Sequence, residues 1–282
     1  MGSLMLIDTF LCFLKYWDGT DLLPVVNGEA FKRKCKDSWI EYIKNYPELY
    51  EKIKWDYERY KMDWHEYLKL LSKRSADELK LAHENLLKIL PEVEEEVKKL
   101  FDVPDYNIVI YVGLENGAGW VTEFKGKPSI LFGLEAIAEL GWYKKIKGLA
   151  AHEFGHLIHW LLRKENVENL EDEQVMWLYA EGFAQRIEDL ISGRPWHLEE
   201  EGWFEWCEVN EEVIKKEFLR RVEEKEPLNP FFGSWYILFG KQYLGYYLGY
   251  KFICGLEQEY SLEEIATMEK EVIKRKILEF LC

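Results

Sequence analysis

The stretch Ala151-His152-Glu153-Phe154-Gly155-His156-Leu157-Ile158-His159 decides how the chain is read. It sets His-Glu-x-x-His in an apolar run, and Ile146, Leu149, Ala150, Leu157, Trp160 and Leu161 predict a core helix. Positions i and i+4 of a helix lie one turn apart on the same face, about 6 Å along the axis. Two imidazoles so placed can hold one Zn²⁺ at the usual Zn–N distance of about 2.0–2.1 Å. Glu153 lies about 100° further round the helix than His152, so it can reach a water on the metal without serving as a ligand. A carboxylate there can take a proton from that water, which a metal acidifies to a pKa of about 7. The plain alternative is a helix whose histidines are hydrogen-bonded within the core. Buried polar groups are costly unless paired, and one metal would pair them together.

A catalytic zinc site needs a third protein ligand and an open position. On a straight helix His159 lies about 10 Å from His152, out of reach of a metal held by the first pair. The longer His-Glu-x-x-His-x-x-Gly-x-x-His pattern is absent, since position 159 is His and position 162 is Leu. His159 is therefore read as structural or as a support for a ligand. The better candidate lies in Trp177-Leu178-Tyr179-Ala180-Glu181-Gly182-Phe183-Ala184-Gln185-Arg186-Ile187-Glu188. Apolar residues from 175 to 191 keep helical spacing, and Ser192-Gly193-Arg194-Pro195 ends the run. Glu181 sits among Ala180, Gly182 and Ala184, small neighbours that permit close helix–helix approach. A carboxylate there needs a partner, either a metal or a neighbouring Arg or Lys. Gln185, one turn later, is placed to steady a ligand histidine.

A zinc hydrolase also needs a donor for the developing oxyanion, and a phenol can supply it. Tyr243, Tyr246, Tyr247 and Tyr250 stand at helical spacing within 234–254, with Gly245 and Gly249 four apart. Tyr246 is the candidate donor and His197 the alternative. Without such a role, the stripe is a tightly packed helix with a small-residue groove.

His-Glu-x-x-His followed by a helix with Glu-Gly-x-Ala resembles the gluzincin clan of zinc metallopeptidases. The string Trp-Leu-x-x-Glu-Gly-Phe-Ala is similar to that clan's aminopeptidase signature. Gly245-Tyr246-Tyr247-Leu248-Gly249 adds a likeness to the little-characterised bacterial and archaeal predicted zinc-dependent proteases. The resemblance covers roughly residues 105–255 and is specific at these three motifs. It implies His152, His156 and Glu181 as ligands, Glu153 as base, and a zincin-like core of a small sheet, the His-bearing helix and the Glu-bearing helix. It also implies an edge strand just before the metal helix that pairs with an extended peptide; Ser129 to Gly133, with Phe132 and Gly133, is the candidate. The aminopeptidases' Gly-x-Met-Glu-Asn strand is missing, so exopeptidase specificity does not carry over.

The rest of the chain sets the frame. Its 282 residues, 48% apolar and 16% aromatic, exclude disorder and permit one large or two modest domains. No run approaches the ~20 apolar residues of a membrane span, and the opening residues lack a basic region, so no secretory signal is expected. The five cysteines form no Cys-x-x-Cys, which suits free thiols in a reducing cytoplasm. A net charge of −15 argues against a nucleic-acid partner. Abundant Glu and Lys with few Gln hint at a thermophilic source. Residues 1–104 are expected to be a helical N-terminal region, with a break near Leu90-Pro91. His65 and His83 are isolated and receive no metal role. Residues 105–282 are expected to form the metallopeptidase region, and the two parts can pack as one unit. There Ile108–Val112, Trp120–Phe124 and Ser129–Phe132 predict a strand meander, and residues 256–282 one amphipathic terminal helix.

The fold class expected is α+β, mostly helical. The expected function is a cytoplasmic zinc metallopeptidase acting on a peptide or protein, with no nucleic-acid or membrane partner. Two other readings stay open. One is a metal-clamped binding or regulatory protein without turnover; the other is hydrolysis of a different amide or ester.

Overall fold

The computed structural model describes residues 5–17, 29–59, 71, 74–114, 116–166, 170 and 174–282, with the side chains of 29–35 and 59 excepted. His65 and the Cys35 side chain lie outside the described residues. The described chain is mostly helical with one small mixed sheet, as the α+β class requires. It divides into two compact units, residues 1–95 with 104–147, and residues 96–103 with 148–282. The division does not follow the expected 104/105 boundary, because the N-terminal segment supplies a strand to the sheet.

In the first unit that strand is β1 (Met5–Asp8), followed by α1 (Phe10–Trp17), α2 (Glu29–Ile43), α3 (Pro47–Arg59) and α4 (Ala76–Leu100), which ends in the second unit. The sheet is completed by β2 (Asn107–Tyr111), β3 (Gly119–Phe124) and β4 (Lys127–Gly133), in the order β1-β2-β4-β3. The β1–β2 and β2–β4 pairs are parallel and β3–β4 is antiparallel, so the predicted meander is corrected to a mixed sheet. Lys125 and Gly126 (φ 53° and 71°) close the β3–β4 hairpin, the left-handed pair that a two-residue turn demands. β4 is therefore a central strand, and both of its edges are occupied. Phe132 pairs with Ile110 and Gly119, and Gly133 with Tyr111, so neither offers the free edge expected for a peptide.

Local interactions explain two further features of this unit. Thr9, just after β1, donates to the Ile110 carbonyl (2.9 Å) and meets the Tyr42 hydroxyl (2.7 Å), tying α2 to the sheet. Trp39 Nε1 donates to the Val112 carbonyl (3.1 Å). α4 runs unbroken through Pro91, against the expected break. Proline removes only one backbone donor, and the buried stripe Leu79, Ala82, Leu86, Leu90, Val93 and Val97 holds the helix on both sides of it.

α5 (Leu134–Glu139) and a 3₁₀ turn (Trp142–Lys144) lead into α6 (Ile146–Arg163), the His-Glu-x-x-His helix. The second unit continues with α7 (Gln174–Ser192), α8 (Trp203–Val209), α9 (Glu211–Glu224), α10 (Asn229–Phe232), α11 (Leu244–Leu256), α12 (Leu262–Thr267) and α13 (Lys270–Leu281). Residues 234–243 are not helical, contrary to the run read over 234–254. Leu238 and Lys241 exchange backbone hydrogen bonds (2.8 and 3.0 Å) around Phe239-Gly240, both at positive φ, which makes a tight turn. The terminal segment is also two helices, not one: Ser261 and Glu264 form a capping box that starts α12, and Met268-Glu269 separates it from α13.

Small residues bring α6, α7 and α11 close together. A Cβ on Gly155 would come within 2.6 Å of the Ala184 Cα, and one on Gly182 would run into the Gly249 backbone. The end of α12 is gripped from both α6 and α7. Arg163 at the end of α6 donates to the carbonyls of Ala266 (3.1 Å) and Met268 (2.8 Å), and the Tyr179 hydroxyl on α7 donates to that of Ile265 (2.7 Å).

Candidate metal centre

The close approach of α6 and α7 turns three side chains toward one point. His152 Nε2 lies 3.2 Å from Glu181 Oε2, and His156 Nε2 lies 3.4 Å from the same oxygen. All three ligand atoms fall within 4.8 Å of one another, and all three residues are buried, so the group could hold a metal ion. With metal–ligand bonds of about 2.0–2.1 Å, the edge of a regular tetrahedron is about 3.3–3.4 Å. The two measured separations match that edge. Among the described residues the group has three members, one fewer than a closed structural site uses.

Beside the group, Glu153 Oε2 is a buried polar atom with no hydrogen-bond partner. Buried polar atoms are rarely left so. Trp177 Nε1 donates to Glu181 Oε1 (3.2 Å), which leaves Oε2 as the oxygen turned to the histidines. Burial alone would raise the Glu181 carboxyl, but His156 and His152 outweigh it and hold it well below the carboxylate range. Burial opposes charge on His152, yet the Glu181 and Glu188 carboxylates lift its pKa to about 10. Glu153 goes the other way: burial raises it, and the nearby imidazoles only partly offset that. A carboxyl raised toward neutrality can both accept and return a proton.

The remaining sequence candidates divide. Tyr246, on α11, brings its ring to 5.7 Å from that of His152, and the His197 ring stands 5.1 Å from that of His152. Both are thus beside the group. No hydrogen bond joins Gln185 to His152 or His156; its Nε2 donates to Glu188 Oε2 (2.7 Å). Glu188 also receives the backbone N–H and Nδ1 of His197, and it was not singled out from the sequence. A glutamate seven residues after Glu181 shares its helix face, and that spacing was the available signal. His83, in the first unit, pairs with Asp8 (2.7 Å).

His159 faces away from the group. Its ring stacks on Phe183 (4.5 Å) and meets Tyr179 edge-on (4.7 Å), and neither ring nitrogen has a partner. Burial pushes its pKa well below the ordinary value, so it is a neutral core ring. His159→Phe keeps the stack and removes two unpaired polar atoms, each worth about 1–3 kcal/mol of desolvation. The expected result is an unchanged or raised melting temperature with unchanged metal content; a fall in metal content would return His159 to the ligand set.

No family model matches the chain, and neither does any curated protein or solved structure.

Proposed function

We propose that the chain is a zinc-dependent hydrolase of peptide bonds, with a zincin-like core in which His152, His156 and Glu181 hold the metal and Glu153 is the general base. The observation that carries this reading is the convergence of two imidazoles on one Glu181 oxygen, both at tetrahedral-edge spacing, beside the unpartnered Glu153 Oε2. Zinc bound there supplies polarisation of the scissile carbonyl and acidification of a water. Glu153 accepts a proton from that water as its oxygen joins the carbonyl carbon. As the C–N bond breaks, Glu153 passes the proton to the departing nitrogen. Tyr246 or His197 donates a hydrogen bond to the carbonyl oxygen as negative charge gathers on it. Three ligands rather than four among the described residues favour this reading over a closed structural clamp.

The four described cysteines are free thiols, which fits a reducing compartment, and no described helix is long and apolar enough to cross a membrane.

The test is metal analysis of the purified chain together with a peptide-library digest with and without chelator. About one zinc per chain is expected, lost in Glu181→Ala, with chelator-sensitive cleavage of amide bonds. Stoichiometric zinc without any cleavage would leave the clamp; no zinc uptake would remove the metal reading.

A further inference from the structure

Glu188 is a fully buried carboxylate that the reaction above does not use. It stands two turns after Glu181 on α7, and four nitrogens converge on it. Gln185 Nε2 donates to Oε2 (2.7 Å), the His197 backbone N–H to Oε1 (2.7 Å), and His197 Nδ1 lies 2.8 Å from Oε2. The fourth is His152 Nδ1, 3.6 Å from Oε2, an electrostatic contact rather than a full hydrogen bond. Gly148 on α6 makes the room, since a Cβ there would strike Glu188 Oε1 and crowd the His197 backbone. One carboxylate thus faces two imidazoles carried by different parts of the chain.

His152, Glu188 and His197 also fall close enough to be counted as a possible metal group. The hydrogen bonds argue against that use. Both oxygens of Glu188 already accept N–H groups, one from the backbone, and a cation between them would face those donors. The same bonds suit an orienting role. A ligand histidine that gives Nε2 to a metal carries its proton on Nδ1, and the acceptor in front of Nδ1 sets the ring's direction. For His152 that acceptor is Glu188.

We propose that Glu188 is a positioning residue that turns His152 toward the metal and holds His197 beside the same site, so that one buried carboxylate governs both imidazoles. The inference rests on the metal reading above and adds a residue that this reading does not require.

The experiment measures metal affinity by chelator competition, and the visible spectrum of the Co²⁺ form, in wild type, Glu188→Gln and Glu188→Asp. Glu188→Gln keeps the shape but sets an NH₂ against N–H donors. Its affinity is expected to fall about 10–100-fold, with a shifted Co²⁺ spectrum, and the charge-retaining Glu188→Asp is expected to recover part of the loss. A folded Glu188→Gln with wild-type affinity and spectrum overturns the proposal, as does a Glu188→Asp no better than Glu188→Gln. Should Glu188→Gln not fold, His197→Asn and His197→Phe take its place. Asn retains an N–H toward Oε2 and is expected to keep the affinity, whereas Phe is expected to lose about tenfold; equal affinities overturn the proposal. Uptake by wild type that Glu181→Ala abolishes but Glu188→Gln leaves intact sinks this inference alone. No uptake by wild type sinks the metal reading with it.

Discussion

Glu153→Gln is expected to keep its zinc and its fold while losing about 10²- to 10⁴-fold in the rate of peptide hydrolysis. The size of the loss follows from what the change removes. Glutamine fills the same space, and Glu153 Oε2 has no hydrogen-bond partner to forfeit, so packing is preserved. Glu153 is outside the three-residue ligand group, so metal content should not change. What disappears is a carboxyl that burial has raised toward the pKa range useful for accepting and returning a proton. Steady-state kinetics on a cleaved library peptide, with zinc measured on the same samples, decides the matter. Undiminished turnover in a zinc-loaded variant would show that another group moves the proton.

Gly249→Ala is expected to destabilise the second unit strongly for a change of one methyl group. The added carbon would lie 2.5 Å from the Leu178 carbonyl oxygen and 2.8 Å from the Gly182 Cα. These are backbone atoms of α7, which cannot swing aside as a side-chain tip can, so the two helices must separate. Overpacking of this kind costs about 1–3 kcal/mol and occasionally more. In a chain of this size each kcal/mol lowers the melting temperature by about 2–4 °C. The shift would also carry Tyr246, one turn earlier on α11, away from His152, so activity should fall further than stability alone explains. Gly255→Ala is the internal control, because it lies on the same helix and its new methyl meets nothing within 4 Å. There a gain of up to about 1 kcal/mol from helix propensity is expected. Equal melting temperatures for the two variants would mean that α7 and α11 are not in contact at these glycines.

Much of the candidate site was legible because it lies on two long helices. The period of α6 and α7 fixed which residues share a face, and this placed His152 with His156 and set Glu181 on a packed helix. The small neighbours of Glu181 forecast the close approach that Gly182 and Gly249 provide. What the sequence hid was the detail that depends on pairing between distant segments. The four residues of β1 carry no period long enough to mark a strand, and they become one by aligning with Asn107–Ile110. The strands 107–111 and 127–133 were found, but their parallel pairing was not, because local pattern does not state a strand's neighbour. For the same reason Ser129–Gly133 passed for an edge. The period of α7 puts Glu188 on the same face as Glu181, and it is Glu188 rather than Gln185 whose oxygen faces His152. The arrival of His197 from beyond Arg194-Pro195 gives Glu188 two of its partners.

The grip on residues 265–268 has a bearing on how the chain tolerates change. Arg163 and Tyr179 reach for carbonyl oxygens there, and every amino acid supplies a carbonyl. Substitutions along that turn therefore leave the yoke between α6 and α7 intact so long as the path of the main chain is kept. A deletion or insertion there would undo it, and so would loss of the guanidinium or the phenol. The alignment of the imidazoles with their carboxylate thus depends on the course of a distant backbone, almost independently of which side chains decorate it.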